Sequence, residues 1–482
     1  IEANRQKELA QKATEEALLN LKRATRAEQL AKIAQTAAEK DRAAAQASER
    51  RANVARKDAE SRRYLSIAKS MALKSKELND TTLQSLLAQQ AYRFNKKYAG
   101  YSYDNDIYNG LFSALKKYNH PLTRSLPGHT KAARAIVSNT RGKTIFSGGS
   151  DGKIFKWTEQ SGIWRGEQIK EFIDPPPFIK TNYQIYSMDI SPDGNWLAVG
   201  GLFTSPNRDA NYAMLVNLTN PTEGPRKIVG FKSDIENVIF TPDGKGFFAR
   251  NNSGHSIMYS DLTTAKEVIN SKEKLTSIDL SQDGTTLAGV GEDGNLYLWD
   301  IGKNYALTVY SILKGSNNDL LSVVFAPIGS DVVIGDQKGE IRIITSGQIK
   351  RVLTGHTSLI HELKFNHSGK FMASASNDKT VRLWNMENLK EQPTVLSSKD
   401  WVWNMAFSPD DEQIMAGIHS VTTGLRESDT DYTIHSWPTK INVMSAELCT
   451  RVKRNMSKEE WDIYVADDLA HERTCENLPA NK

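Results

Sequence analysis

The stretch TGHTSLIHELKFNHSGKFMASASNDKTVRLWN, residues 354–385, contains the pattern that decides the fold. Short runs rich in β-branched and aromatic residues alternate with turns that contain Gly, Asn or Asp, which is typical of antiparallel strands. The same unit recurs seven times, with first turns about 40 to 50 residues apart, and this spacing fits a four-stranded blade of a β-propeller. The seven first turns are TRGK at 140–143, SPDG at 191–194, TPDG at 241–244, SQDG at 281–284, APIG at 326–329, NHSG at 366–369 and SPDD at 408–411.

Two of the seven units also carry a spaced set of Gly-His, Ser, Asp and Trp residues. The units resemble those of the WD-repeat family, and the resemblance covers about residues 121–439. It implies a seven-bladed WD-repeat β-propeller, in which each set forms a buried hydrogen-bonded chain. A structural role is expected rather than catalysis, because no substrate could reach a buried set. The sets are His129, Ser147, Asp151 and Trp157 in the first unit, and His356, Ser374, Asp378 and Trp384 in the sixth.

The other five units lack the Gly-His pair, although two of them keep Trp299 and Trp437. Their blades are expected to depend more on apolar packing. The last unit offers only three strands, so we expect residues 122–126 to supply the fourth strand and close the ring, which would protect the sheet edges. The propeller is assigned to residues 121–440.

Residues 1–63 are dominated by Ala, Glu, Lys, Arg and Gln and contain no Gly or Pro. This composition predicts one continuous helix. Ala recurs at every seventh position from Ala3 to Ala59, and the register predicts a coiled-coil-like stalk that self-associates through an Ala seam. A lone, solvent-exposed helix is the alternative, because Ala buries little surface.

Stronger apolar faces appear at residues 64–120, which are expected to form a block of short helices that docks on the propeller. Residues 441–482 are expected to form a small helical tail, in which residues 457–460 make a capping box. The two cysteines of the chain, Cys449 and Cys475, flank this helix. A disulfide between them would stabilise an element without a large core, whereas two buried thiols are the alternative.

Three long insertions, at residues 174–183, 202–212 and 420–432, fall on one face of the expected ring. We expect a protein or peptide ligand on this loop face of blades seven, one and two, because long loops on a rigid scaffold are common binding sites. Core packing is the alternative for Trp403, and loop packing for Trp401. The expected anchors are Phe178, Phe203, Arg208, Tyr212 and Arg426 in the loops, and Arg134, Tyr186, Trp401 and Trp403 near the channel mouth.

Charge and motifs argue against several other functions. The net charge of +5 lies in residues 1–63, which hold 15 basic and 10 acidic residues, and this interspersed charge is unlike the clustered basic face of a nucleic-acid binder. A dinucleotide-like Gly pattern at 289–294 precedes no helix that could hold a pyrophosphate. The His and Cys spacing fits no metal site. We therefore expect no enzymatic activity, cofactor or nucleic acid, and membrane contact only through a segment upstream of Ile1.

Both ends of the chain resemble bacterial WD-repeat sensor proteins. The resemblance rests on the tail from Leu448 to Cys475 and on the run LLAQQAY at 86–92. In those proteins a STAND-type NTPase or a caspase-like protease precedes a membrane helix, a charged Ala-rich helix and the propeller. The resemblance implies a non-enzymatic sensor half of a larger signalling or defence protein, on the extracytoplasmic (periplasmic) side, with the cytoplasm as alternative. A structural scaffold in a cell-envelope or secretion complex is the alternative function.

Overall fold

The computed structural model describes residues 1–160, 162–172, 183–203, 211–220, 222–314, 317–419 and 433–479. The chain divides into two compact units, residues 1–67 and residues 68–482. The first unit is helical throughout. No helix among the described residues combines the length and the apolar character that crossing a bilayer requires.

Helix α1 (Glu2–Ser75) runs without interruption past residue 63, where the sequence pattern placed the end of the stalk. The strong helix formers of the first 63 residues are followed by Leu65, Ile67 and Ala68, which add an apolar face without adding a helix breaker. Residues 1–60 are all exposed, whereas Ala68, Met71 and Ala72 are buried. The change at residue 64 is therefore a change in burial and not the end of a helix.

Four further helices belong to the second unit: α2 (Thr81–Lys97), α3 (Asn105–Lys117), α4 (Ile441–Arg451) and α5 (Lys458–Tyr464). Helix α2 begins where Asp80 accepts a hydrogen bond from the Leu83 N–H at 2.7 Å, a side-chain cap that satisfies a helix donor. The α2–α3 pair docks on the propeller, since the Tyr108 hydroxyl donates to the Pro438 carbonyl at 2.8 Å and the Thr394 hydroxyl donates to the Tyr103 carbonyl at 2.9 Å.

The C-terminal tail is fastened to α2. Trp461 is fully buried, with its ring centroid 6.0 Å from that of Phe94 in an edge-to-face contact. A disulfide joins Cys449 to Cys475 across 26 residues. The side chain of Asn455 donates to the Pro479 carbonyl at 2.9 Å. The tail also pairs with α2 through Arg93 and Glu476 (3.0 Å) and through Lys97 and Glu472 (2.6 Å). The covalent link, the aromatic contact and these ion pairs together fix the position of the tail.

Twenty-seven described strands form seven antiparallel sheets arranged as blades of a propeller. In each sheet the strands follow sequence order, and the first strand of each blade lies innermost, beside the central channel. Blades one to three consist of β1 (Ala133–Asn139), β2 (Thr144–Gly149), β3 (Lys153–Gln160) and β4 (Ile163–Glu171); β5 (Gln184–Ile190), β6 (Trp196–Leu202), β7 (Asn211–Asn217) and β8 (Arg226–Phe231); β9 (Ile235–Phe240), β10 (Phe247–Asn251), β11 (Ser256–Ser260) and β12 (Ala265–Asn270).

Blades four to seven continue the ring. They consist of β13 (Leu275–Leu280), β14 (Thr286–Gly291), β15 (Asn295–Asp300) and β16 (Ala306–Ser311); β17 (Leu320–Phe325), β18 (Val332–Asp336), β19 (Ile341–Thr345) and β20 (Gln348–Leu353); β21 (Ile360–Phe365), β22 (Phe371–Ser376), β23 (Thr380–Asn385) and β24 (Thr394–Ser397); β25 (Trp401–Phe407), β26 (Gln413–His419) and β27 (Ile434–Pro438). Apolar clusters lie between adjacent blades, so the core is a ring of separate layers.

Ring closure differs from the expected fourth strand at residues 122–126. Residues Pro121–Thr123 form a 3₁₀ turn, and only Leu126 pairs with β27. The Leu126 N–H donates to the Ile434 carbonyl at 2.8 Å, and the Ile434 N–H donates to the Leu126 carbonyl at 3.0 Å. Pro121 removes a ladder donor and favours the turn, so the seventh blade is closed by one bridge rather than by a strand.

The first turn of blade one occupies residues 140–143, as its sequence pattern predicted. The Gly142 N–H donates to the side chain of Asn139, the last residue of β1, at 2.9 Å. Asn139 pairs with Thr144 across this turn, just as Ser191 bonds Trp196 in blade two. This register aligns the innermost strands of all seven blades.

Candidate functional site at the channel mouth

Each innermost strand contains a β-bulge near its first residue. A bulge leaves one residue without a partner on the adjacent strand and redirects its side chain. In all seven blades this residue lines the central channel, a cavity of about 590 Å³. We call these residues the bulge ring: Arg134, Tyr186, Glu236, Thr276, Leu321, His361 and Trp403, in blade order.

Four neighbouring members of the bulge ring stack on one another. The guanidinium carbon of Arg134 lies 4.3 Å from the ring centroid of Tyr186 and 4.5 Å from that of Trp403. The His361 ring stacks on Trp403, with centroids 4.7 Å apart and 27° between the planes. Aromatic rings attract a cation over their faces. The stack therefore joins blades six, seven, one and two along one side of the mouth.

The remaining polar members of the bulge ring have close partners. The Glu236 carboxylate lies 3.0 Å from the guanidinium of Arg250, and the Thr276 hydroxyl donates to the Val290 carbonyl at 3.0 Å. Among the described residues, no carboxylate lies within ion-pairing distance of Arg134. Burial lowers the pKa of Arg134, and nearby Glu236 only partly opposes this effect. Tyr186, which also makes a hydrogen bond with the Arg134 side chain, opposes the effect of burial as well. Arg134 is thus held by two cation–π contacts and this hydrogen bond, and not by an ion pair.

Deeper in the channel, side chains of one innermost strand accept hydrogen bonds from the backbone of the next. These bonds link blades two to three, four to five, six to seven and seven to one. The acceptor and donor pairs are Ser187 with the Val238 N–H (3.1 Å), Asp189 with Phe240 (2.7 Å), Asp279 with Phe325 (2.7 Å), Glu362 with Met405 (2.8 Å) and Asn404 with Ile136 (2.6 Å).

A charge cluster lies in the same deep layers. The Lys364 amine is 3.4 Å from Glu362 and interacts electrostatically with Asp189 and Asp279. Burial raises the pKa of Asp279 to about 6, and it also raises the pKa of Asp189 and Glu362. Enclosure in the channel opposes the charge on Lys364, whose side chain keeps 47% of its surface exposed. The three carboxylates outweigh this effect and raise the Lys364 pKa. Three acids share one amine, so the cluster favours bound protons.

The structure brings together each Trp, Ser, His and Asp set within its own blade. In blade one, the Trp157 indole donates to Ser147 Oγ at 2.8 Å, and that oxygen lies 2.8 Å from His129 Nε2. His129 Nδ1 lies 3.1 Å from the Asp151 carboxylate. The equivalent distances in blade six, for Trp384, Ser374, His356 and Asp378, are 2.9, 2.7 and 2.7 Å.

Burial separates these two sets from any substrate. Ser147 and Ser374 are completely buried, and the side chains of His129 and His356 have no exposed surface. Burial lowers the pKa of His356 and would raise that of Asp378, yet the hydrogen bonds to Asp378 hold its pKa well below the usual range. The geometry therefore supports a structural role for the sets.

Several expected ligand anchors lie elsewhere. Phe203 and Tyr212 were wrong as exposed anchors, since they are 0% and 3% exposed and pack in the core between blades one and two. Their rings stack with centroids 6.0 Å apart, because strand ends that flank a loop can still point inward. Trp401 is half-buried opposite His419, outside the channel lining. Phe178, Arg208 and Arg426 lie outside the described residues.

The sequence interpretation missed His361, Glu236 and the deep charge cluster. A signal was present, because in six blades the bulge residue stands five positions before the first residue of the first turn. In blade one it stands five positions before Asn139, whose side chain accepts from the Gly142 N–H of the turn. Five of the seven residues at this position are charged or carry an aromatic ring, and only Thr276 and Leu321 do not. Sequence spacing could therefore have located the whole ring.

Comparison with known proteins identifies the repeats. The family model described as WD domain, G-beta repeat matches residues 120–158, 177–202, 266–300 and 347–385. The crystal structure of the WD40 β-propeller domain of Doa1 superimposes with a TM-score of 0.52 at 15% identity, and it covers 66% of this chain and 95% of that domain. The chain folds as a seven-bladed β-propeller, and four of its segments match the WD-repeat model. WD propellers typically act as scaffolds for protein interactions.

Two curated relatives share this propeller at low identity. Transcription factor unc-37 of Caenorhabditis elegans is 26% identical over 310 residues, which are 60% of this chain and 46% of that protein. Periodic tryptophan protein 2 of Arabidopsis thaliana is 25% identical over 266 residues, 53% of this chain and 28% of that protein. The chain thus matches less than half the length of either relative. Both are eukaryotic, and neither supports the resemblance to bacterial sensors.

The buried Trp, Ser, His and Asp sets predict that removing one of their serine hydroxyls reduces the stability of the propeller. Replacing Ser374→Ala leaves the Trp384 N–H and the His356 ring without their shared partner, and an unsatisfied buried polar group costs about 1–3 kcal/mol. We expect urea unfolding, followed by tryptophan fluorescence, to show a reduced free energy of unfolding of this size. The control Ser330→Ala, at an exposed site, should change it by less than about 0.5 kcal/mol. Equal midpoints for the two variants would contradict the buried hydrogen-bonded chain.

The deep charge cluster predicts a pH-dependent effect at Asp279. Its folded pKa of about 6 exceeds the value of about 3.9 expected in an unfolded chain, so protonation stabilises the fold below about pH 4, and this gain is lost as the pH rises through 6. Asp279→Asn is always neutral and can accept the Phe325 N–H, as Asn404 accepts Ile136. We expect the variant to exceed the parent by roughly 1–3 kcal/mol above pH 7 and to match it below pH 4.

A matched variant, Asp283→Asn, is expected to change the stability at neutral pH in the opposite direction. Hydrogen bonds from Ser281 and Thr285 lower the pKa of the exposed Asp283, so its ionised form is stabilised in the fold. Asp283→Asn should therefore reduce stability at neutral pH. An Asp279→Asn protein less stable than the parent at pH 8 would show that the charged form of Asp279 is needed.

Proposed function

We propose that this WD propeller binds a segment of a partner protein at the mouth of its central channel, without catalysing a reaction. The single observation that carries the proposal is the stack of Arg134, Tyr186, Trp403 and His361 on four adjacent blades. Aromatic and Arg side chains dominate the binding energy of many interfaces. Here they are held rigid by strands, so little conformational entropy is lost on binding.

The positions of the described strand ends also support binding at the face of the propeller that contains the channel mouth. The bulge ring lies near the first residues of the innermost strands, and Gln184 pairs with Leu202 at that edge of blade two. The connections from β4 to β5, from β6 to β7 and from β26 to β27 start and end at this edge. The strand ends that flank the three long insertions of blades seven, one and two therefore lie at the edge where we propose that the partner binds.

We also infer that the propeller is the partner-binding module of a larger protein. The curated relatives are longer than the region they share with this chain, which supports a propeller used as one module among several. A sensor would hold its partner conditionally, whereas a scaffold would hold it constantly. Native purification from cells grown under two conditions separates these two roles. A scaffold should copurify with the same amount of partner in both conditions, whereas a sensor should copurify with more partner in one of them.

Panning a random peptide display library against the full chain tests binding at the mouth. We expect selected peptides to bind the parent at least about tenfold more tightly than the double variant Tyr186→Ala, Trp403→Ala, because loss of aromatic anchors costs about 2 kcal/mol or more. Tyr101→Ala removes an exposed ring from another surface and serves as control. Peptides that bind all three proteins equally would place the binding surface elsewhere.

We further propose that residues 1–63 pair with a second copy of the chain. Ala residues of the seam are exposed, and so are Leu9, Leu21 and Leu30, which flank the seam with 60%, 63% and 59% of their surface exposed. Small seam residues allow close approach of two helices, and the flanking leucines would add apolar area.

Substitution on opposite faces of the stalk helix tests the pairing. Replacing Ala24, Ala31 and Ala38 with Glu should convert oligomers to monomers in sedimentation velocity, because charges would face each other across the seam. The control places three Glu residues on the far face, at Gln29, Thr36 and Ala43, and should leave the oligomer intact. A parent that sediments as a monomer, or seam and far-face variants that sediment alike, would refute the Ala seam.

A further inference from the structure

We propose that Arg134 binds a single carboxylate of the captured segment, so that the channel mouth selects an acidic residue. The inference rests on the proposed function and adds the chemical class of the ligand. It starts from the way in which Arg134 is held. The ring centroids of Tyr186 and Trp403 lie 4.3 and 4.5 Å from its guanidinium carbon, and Tyr186 also makes a hydrogen bond with the Arg134 side chain.

Two cation–π contacts and one hydrogen bond leave most of the five guanidinium N–H donors available. The N–H groups of arginine lie in the guanidinium plane, and two of them can donate in parallel to one carboxylate. Among the described residues, Arg134 makes no ion pair, although it lines a cavity of about 590 Å³. A cation in this position is therefore oriented by the protein and left to be neutralised by a ligand.

The neighbouring charges define how much acid the mouth accepts. Glu236 is the bulge-ring carboxylate, and it is engaged by Arg250 at 3.0 Å. Asp234 stands just before β9, and burial together with Glu236 raises its pKa. Lys274 is paired with Glu292 at 2.6 Å. The side of blade three thus repels further acid, so one carboxylate fits beside Arg134, whereas an acidic run does not.

His361 strengthens the choice of a planar anion. Its ring stacks on Trp403, and its Nε2 lies 2.6 Å from Asn377 Oδ1, an acceptor that requires the N–H on that nitrogen. The ring is therefore fixed in orientation beside the arginine stack. A flat carboxylate can lie in the guanidinium plane at the edge of this stack without displacing a ring.

Three short peptides separate the possible sources of the carboxylate. The first carries one central Glu among Ala and Gly residues, with both ends blocked; the second has Gln in place of Glu; the third is the Gln peptide with a free C-terminal carboxylate. Calorimetry or fluorescence anisotropy with the full chain measures each affinity. We expect the Glu peptide to bind at least about tenfold more tightly than the blocked Gln peptide, as charge-assisted hydrogen bonds predict. If only the free-acid peptide binds more tightly, the mouth recognises a chain terminus and the choice of an acidic residue is wrong.

Two arginine variants test whether Arg134 causes the preference for the Glu peptide over the Gln peptide. Arg134→Lys keeps a positive charge but loses the fork and the flat stacking, so the acidic preference should fall below about threefold. Arg165→Lys changes an exposed arginine on the outer strand β4 and should keep the full preference. A peptide with three adjacent Glu residues should gain nothing over the single Glu.

The outcomes distinguish this inference from the proposed function. If display peptides bind at the mouth but Glu and Gln peptides bind equally, the function stands and the carboxylate inference is wrong. The carboxylate inference is also wrong if Arg134→Lys retains the preference, or if none of the three peptides binds at millimolar concentration. The parent alone decides between Glu and Gln, so the test holds even if a variant folds poorly.

Discussion

One extra residue in each innermost strand determines the character of this propeller. A ladder between strands of equal length would send alternate side chains into the layers between blades, and the channel would be lined by the remainder. The bulge interrupts that alternation at one level in all seven blades. Seven side chains thereby meet at the mouth, and four of them are aromatic or cationic neighbours. The binding face follows from strand register, not from the loops alone.

The same register sets the bonds between blades. Once the bulge has fixed which residues turn inward, Ser187, Glu362 and Asn404 occupy equivalent positions and can each reach the backbone of the next blade. Each blade is otherwise held to its neighbours by apolar layers, which are non-directional. The polar bonds add direction, and an altered register would leave these buried donors unsatisfied. Mouth geometry and ring stability therefore depend on one feature.

Local sequence patterns predicted most of the fold because a blade is a local structure. The seven turns, the two hydrogen-bonded sets and the tail capping box each involve residues close in sequence or fixed by spacing. The closure at Leu126 was mispredicted as a strand, because pairing with Ile434 spans about three hundred residues and no local pattern shows how many residues take part. Phe203 and Tyr212 failed for a similar reason. Their strands were evident, but the direction of the side chains depends on the neighbouring blade.

The sequence predicted part of the site, namely three residues of the channel mouth. It did not predict the ion pairs and the charge cluster in the channel. Arg134, Tyr186 and Trp403 were recognised as mouth residues, yet sequence alone could not show that Glu236 is engaged by Arg250 while Arg134 lacks an ion pair among the described residues. Nor could it show that Asp189, Asp279 and Glu362 share Lys364 in the deeper layers. The channel thus keeps an excess of acid in its deeper layers, while Arg134 at the mouth is held by two aromatic rings and a hydrogen bond with Tyr186. Because Glu236 is already paired with Arg250, the Arg134 guanidinium keeps N–H donors that a carboxylate of a ligand could accept from.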